Sequence, residues 1–401
     1  MRGPSLIAEH DTWISMDPVV GCPADCAYCY LGPMGLRAKK PTARVTPAEL
    51  ARSLRAYLHG QRAELIDPRD DPTPLCLGNY TDMLMTRDNR RFLVDAVRAL
   101  DEAVAPRPLV LITKAAVTPE LVAELDESGW PIIWFFTQSF ARDRGTDLER
   151  GRIADFETTL RNAAAVRASR HQHAVHFWRP FVAELAPAQG PEPVIRRLRD
   201  SGMRCSVVTG MHVGPGVPMA DPRLRALLPS VAAAGPDRIQ VIDAAGWREA
   251  AAAGRKADYP VYRHSSCAIA LVRARQEQLG TWRTDLLWNR CLPCSCPDSQ
   301  RSTCRALGTS AGKGAEDVAG FGERLTKFLG IAPEQVSWDA AKGYLYIEAN
   351  VSEFSYNTIL HASRGRYVVS ARSVAWQRAW RSRWHDRARA GSRGREESGR
   401  A

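Results

Sequence analysis

The stretch WISMDPVVGCPADCAYCY, residues 13–30, decides how the rest of the chain is read. Residues 13–20 are short, apolar and nearly continuous, as expected of a parallel strand buried on both faces. Three cysteines follow at once, Cys22, Cys26 and Cys29, with gaps of three and two residues. A loop directly after a parallel strand lies at the strand's C-terminal end, the edge on which α/β barrels carry their chemistry. Three thiolates this close can serve three corners of one iron–sulfur cube and leave the fourth iron open. A structural zinc site usually takes four protein ligands in paired groups, so a lone triplet suits zinc poorly unless a distant ligand joins.

Outward from this stretch, strand-like and helix-like segments alternate. Further apolar runs lie at 75–78, 109–113, 132–137, 175–181 and 205–209, with helical patterns between them at 47–59, 88–102, 119–128, 152–169 and 191–201. Thr46 and Pro47 suit the N-cap and first position of the earliest helix. Such repetition predicts an α/β fold with a parallel sheet. Six units fit before residue 215, which predicts a partial (β/α)6 TIM-like barrel with a cysteine-rich C-terminal extension. The expected domains are the barrel at 1–215, a cysteine-rich region with an auxiliary metal site at 216–320, a small α+β region at 321–390 and a disordered tail at 391–401. Within the α+β region, 320–331 reads as helix and 337–349 as a hairpin.

Here the residues resemble a known family. Cys-x3-Cys-x2-Cys with an aromatic, Tyr28, before the last cysteine is the signature of the radical S-adenosylmethionine (SAM) superfamily. The longer pattern Gly21-Cys22-x3-Cys26-x-Tyr28-Cys29-Tyr30-Leu31 looks like its spore photoproduct lyase group. The resemblance implies a 4Fe–4S cluster on Cys22, Cys26 and Cys29, with SAM on the open iron. It implies reductive cleavage of SAM to a 5′-deoxyadenosyl radical that takes hydrogen from a substrate, with electrons from an external donor such as flavodoxin or ferredoxin. Tyr28 is expected near the adenine. Matching elements follow in order: Leu77–Gly78–Asn79–Tyr80–Thr81–Asp82 after the second strand, Thr113–Lys114 on the third, Ser139 after the fourth near the expected ribose site, and Arg179–Pro180 on the fifth. They make Asn79, Thr81, Asp82, Ser139 and Arg179 candidate cofactor contacts. One position departs: photoproduct lyases carry a hydrogen-donating cysteine where this chain has Asn79. An amide does not donate a hydrogen atom as a thiol does, so the strict lyase reaction is not expected.

A second cysteine group, Cys291, Cys294, Cys296 and Cys304, with Cys267 upstream, offers five candidates for four ligand positions. Interrupted by Pro and polar residues, it reads as a metal site, either an auxiliary iron–sulfur cluster or a structural zinc. Of the net charge of +11, +8 falls in residues 362–401, where eleven arginines face three acidic residues. There Arg378, Arg381, Arg383, Arg387 and Arg389 flank Trp376, Trp380 and Trp384, which recur on one helical face. The pattern suits either a nucleic-acid surface or a tryptophan face docked on the barrel with its arginines in water.

The hydrophobic fraction of 45% with 25% charged residues is that of a globular protein. No run approaches the roughly 20 apolar residues of a membrane span, and the start has no secretory pattern. A cytoplasmic protein with no membrane partner is expected, and clustered cysteines in a reducing compartment point to metal or redox chemistry. Three functions compete: a radical enzyme acting on nucleic acid, a radical enzyme acting on a small metabolite or peptide, and a non-enzymatic, metal-stabilised nucleic-acid-binding protein.

Overall fold

The computed structural model describes residues 4–213, 221–233, 240–273, 315–339, 344–363 and 368–373. Its centre is a sheet of eight strands, β1 Ile7–Glu9, β2 Ile14–Met16, β3 Leu75–Leu77, β4 Leu109–Thr113, β5 Ile132–Gln138, β6 Gln172–Trp178, β7 Ser206–Val208 and β8 Val261–Tyr262. They lie side by side in chain order. Only the β1–β2 pair is antiparallel; β2 to β8 run parallel. All six predicted strands are present, and β8 adds a seventh parallel one. Among the described residues the sheet is open, with β1 and β8 at its edges.

Helices α1 Pro47–Leu58, α2 Arg87–Ala103, α3 Pro119–Asp126, α4 Phe156–Val166, α5 Pro191–Ser201 and α6 Ala244–Lys256 supply the crossovers. The first begins at a capping box: Thr46 accepts from the Glu49 N–H, and Glu49 reaches back to the Thr46 N–H. The strands look uniformly apolar in sequence, yet their alternation splits them between two cores. Leu75, Leu77, Leu109, Leu111, Trp134 and Trp178 pack with helix residues such as Leu54, Leu93 and Val194. Cys76, Val110, Ile133, Phe135, Val175, Phe177, Val207 and Tyr262 face the other side. There they meet α7 Ser265–Arg273, which contributes Ala268, Ile269 and Val272. Residues well beyond 215 thus extend the sheet and fill its inner face.

A smaller unit consists of α8 Ala315–Leu329, β9 Val336–Asp339, β10 Tyr344–Asn350, α9 Glu353–Ser363 and β11 Val368–Ser373. The predicted hairpin is the antiparallel β9–β10 pair, and β11 joins β10 in parallel. Phe321, Leu325, Phe328, Leu345, Ile347, Tyr356 and Ile359 form its core with Leu65 and Ile66. Glu9 ties this unit to the main sheet. Its carboxylate takes Arg62, Tyr57 and His361, and its carbonyl accepts from Asn357 at 3.1 Å. No helix of the described residues is long and apolar enough to cross a membrane.

Candidate active site at the cysteine loop

The chain leaves β2 at Met16, turns through Gly21 and enters the cysteine loop beyond the C-terminal ends of the parallel strands. Residues Val19–Val20 pair with Thr42–Ala43, and Asp25–Cys26 pair with Glu149–Arg150. Gly21 has φ of +93°, and a Cβ there would lie 2.9 Å from the backbone oxygen of Lys40. Only glycine meets both demands without strain. The loop is then stitched on three sides: Cys22 N–H to Leu36 O at 2.9 Å, Ala27 N–H to Leu148 O at 2.8 Å, and Gly21 N–H to Tyr80 O at 3.0 Å. The Thr81 hydroxyl donates to Gly21 O at 2.6 Å.

This stitching brings Cys22, Cys26 and Cys29 within electrostatic reach of one another. Cys22 and Cys26 are buried and Cys29 is half-buried. Burial pushes the Cys22 thiol up to about 12, and the Asp82 carboxyl adds to the effect. Burial likewise raises Cys26 and Cys29. Without a bound cation these groups are thiols; coordination to a metal would deprotonate them. The Leu31 N–H donates to Cys29 Sγ at 3.5 Å. N–H donors to sulfur tune iron–sulfur clusters. Among the described residues no three His, Cys, Asp or Glu side chains converge on one metal ion. Three cysteine thiols on one loop are the donor set that a 4Fe–4S cube takes, one thiolate to each of three irons.

Beside the loop lies a buried polar group that the sequence did not reveal. The Tyr28 hydroxyl donates to Glu149, as does the Lys114 ammonium, which also donates to the Tyr28 oxygen at 2.8 Å. Ser139 Oγ donates to the same Glu149 oxygen at 2.8 Å. Burial opposes the charge on Glu149, but Lys114 and these hydrogen bonds win and lower its pKa. Lys114 is likewise raised: burial works against it, and Glu149 overrides that. The second carboxylate oxygen, Glu149 Oε2, is buried with no partner. Sequence reading singled out Tyr28 and Ser139 but missed Glu149. It sits in an irregular loop with no motif, and only its strand pairing with Cys26 carries it to the site.

The other candidates divide. Asp82 is buried and spent on Thr113 Oγ1 at 2.9 Å, Lys114 N–H at 2.8 Å and Leu84 N–H at 3.0 Å, so it ties the end of β3 to the end of β4. Thr81 is engaged by Gly21 and by Asn89 at 3.2 Å. Asn79 and Arg179 keep capacity on the inner side. The Asn79 N–H donates to Asp17 Oδ1 at 2.6 Å and its Oδ1 accepts from Cys76 Sγ at 3.6 Å, while Nδ2 is buried without a partner. Asp17 Oδ2 is equally unpartnered, and burial raises that carboxyl. Arg179 lies over the Phe177 ring at 5.6 Å and is a cationic neighbour of Cys29. Thr137, two residues beyond Phe135 on the inner face, has a buried hydroxyl without a partner. Buried polar atoms without a partner thus recur at Asp17, Asn79 and Thr137, as they do where a bound ligand or water completes them.

Cys267 lies on α7, half-buried against the inner core. Cys291, Cys294, Cys296 and Cys304, the tryptophan–arginine tail and the last ten residues lie outside the described residues.

No protein-family model matches the chain, and no curated protein matches it. Among solved structures it is similar to spore photoproduct lyase complexed with a dinucleoside spore photoproduct. That match has 14% identity over 61% of this chain and 72% of the other, with a TM-score of 0.45. A variant of that lyase with bound AdoMet and the dinucleoside matches at 13% identity, the same shares and a TM-score of 0.45. A third, a variant with the dinucleoside alone, matches at 15% identity, again over 61% and 72%, with a TM-score of 0.44. The chain resembles spore photoproduct lyase in structure. This likeness concerns the fold.

Proposed function

We propose that this chain is a radical SAM enzyme, with a 4Fe–4S cluster on Cys22, Cys26 and Cys29 and its substrate on the inner face of the sheet. The observation that carries this reading is the arrangement of the three thiols. They lie on one loop at the C-terminal edge of a parallel sheet, two of them buried and the third half-buried, with the Leu31 N–H donating to the Cys29 sulfur. Bound there, the cluster and SAM would supply a 5′-deoxyadenosyl radical, with an electron from a flavodoxin- or ferredoxin-type donor.

The chain's own residues hold and orient. Lys114 locks Tyr28 against Glu149, which fixes the aromatic ring beside the loop. Glu149 Oε2 and Ser139 offer polar atoms for a hydroxylated part of the cofactor. Arg179, a cationic neighbour of Cys29, and the unpartnered Asn79 amide supply further polar groups for ligands, while Thr81 and Asp82 keep the loops in register. With Asn79 at the position where photoproduct lyases carry cysteine, the reaction differs from strict photoproduct repair. A nucleic-acid substrate is the favoured class, because the basic charge is concentrated in one C-terminal segment. A base within a duplex would have to be flipped out to reach a radical formed at the cysteine loop.

The test is anaerobic reconstitution with iron and sulfide, for wild type and for a Cys22/Cys26/Cys29→Ala triple variant. The variant should carry about four fewer irons per chain, one 4Fe–4S cluster. Reduced wild type should form 5′-deoxyadenosine from SAM and the variant none. Equal iron in both proteins would refute the assignment.

A further inference from the structure

Two aspartates and two arginines lock the cysteine loop to a segment some two hundred residues away. Asp25, inside the Cys22–Cys26 interval, receives a two-pronged contact from Arg223: Nη1 to Oδ2 and Nη2 to Oδ1, both at 3.0 Å. Arg37 Nε reaches the same carboxylate at 3.2 Å, and Arg37 Nη1 reaches Asp221 at 3.0 Å. Asp221 closes the ring on Arg223 Nη2 at 3.0 Å. Arg37 Nη1 also donates to Ala27 O at 2.9 Å, so the ring grips the loop backbone as well as a side chain. Arg150 Nη1 stands 3.9 Å from Asp25. The four side chains are 7–23% exposed, which places them between a screened surface pair and a buried one.

Under this ring is an apolar cluster separate from the main core. Ala27 of the loop and Leu148 meet Leu224 and Val231 from two short helices, Pro222–Leu227 and Pro229–Ala232, and Leu228 between them. Those helices therefore cover one side of the loop, with a charged clasp at the edge and apolar contact beneath. An iron–sulfur cluster is lost when water, chelator or oxygen reaches its thiolates, and its exposure also sets its potential. A docked cover held by oriented guanidinium forks is a direct way to limit that access.

We propose that Asp25, Arg37, Asp221 and Arg223 are positioning residues that hold the 221–232 cover on the cysteine loop and so set how long a cluster on Cys22, Cys26 and Cys29 survives. The inference rests on the cluster assignment above. It assigns the acidic residue within the cysteine motif a partner and a task.

The experiment uses the full chain, reconstituted anaerobically, as wild type, Arg223→Met, Asp25→Asn and the double variant, with Arg197→Met as a remote surface control. Iron loss to an excess of ferrous chelator is timed and corrected by the Cys22/Cys26/Cys29→Ala variant. Visible absorbance of the cluster and the reduced-state EPR spectrum are recorded in parallel. Each single variant should lose iron faster on the order of tenfold, as expected for a charge-assisted contact. The double variant should be no faster than the worse single one, because the two residues act as one unit. The EPR spectrum should shift in the variants, and Arg197→Met should match wild type. If wild type loads no iron on the three cysteines, the cluster assignment and this inference both fall. If wild type loads and both single variants lose iron at its rate, only the clasp is overturned. A change confined to the melting temperature of the iron-free protein, with unchanged iron loss, overturns it as well.

Discussion

Glu149→Gln probes the buried polar group beside the cysteine loop with the smallest change of shape. The Glu149 side chain is wholly buried, and that of Lys114 is 13% exposed. Neutralising the carboxylate leaves an ammonium almost out of water without its ion-pair partner, and it weakens the acceptor for Tyr28 and Ser139. Breaking a buried pair from one side costs about 3–5 kcal/mol. The slight exposure of Lys114 lets water relieve part of this, so the expected loss is about 3 kcal/mol. Lys114→Met combined with Glu149→Gln removes both charges, and the double variant should recover about 2 kcal/mol relative to the sum of the singles. Urea unfolding of iron-free protein at pH 7 reads these values directly, provided the slope with denaturant stays constant. A Glu149→Gln cost below about 1 kcal/mol, or additivity within about 0.5 kcal/mol, would refute the claim that one buried ion pair organises this side of the site.

Acid stability should report on Asp71. Burial opposes its charge, but Arg62, Arg107 and hydrogen bonds from Thr73 hold the carboxyl down to about 2. A lowered folded-state pKa stabilises above the unfolded value of 3.8 and is lost as pH falls through about 2. Wild type should therefore shed about 2 kcal/mol between pH 4 and 2 that Asp71→Asn does not, measured by unfolding across that window. Gly21→Ala should destabilise by more than about 1–2 kcal/mol, the cost of the left-handed backbone alone, because its Cβ also meets the Lys40 carbonyl. Gly35→Ala, at φ of +68° with open space around it, should show only the conformational cost, and equal losses for the two would contradict the close approach at Gly21.

Much of the frame was legible because parallel strands buried on both faces leave short apolar runs. Residues 109–113 and 132–137 mark β4 and β5 almost to the residue. Val261–Tyr262 escaped notice because a two-residue strand leaves no periodicity to read. The inner-face position of α7 was invisible for a related reason. A helix packed on one face of a sheet is apolar in the same way as one packed on the other, and only tertiary contact tells them apart.

Sequence alone determined the cysteine spacing and its place after a parallel strand. These are local matters of residue type and chain geometry. Only the tertiary structure decided what surrounds the thiols. Glu149 arrives by strand pairing, Asp221 and Arg223 arrive from beyond the last predicted strand of the barrel, and Asp82 binds Thr113 and Lys114. Ion pairs and caps between residues far apart in the chain leave no periodic trace, because their partners are chosen by the fold that brings them together.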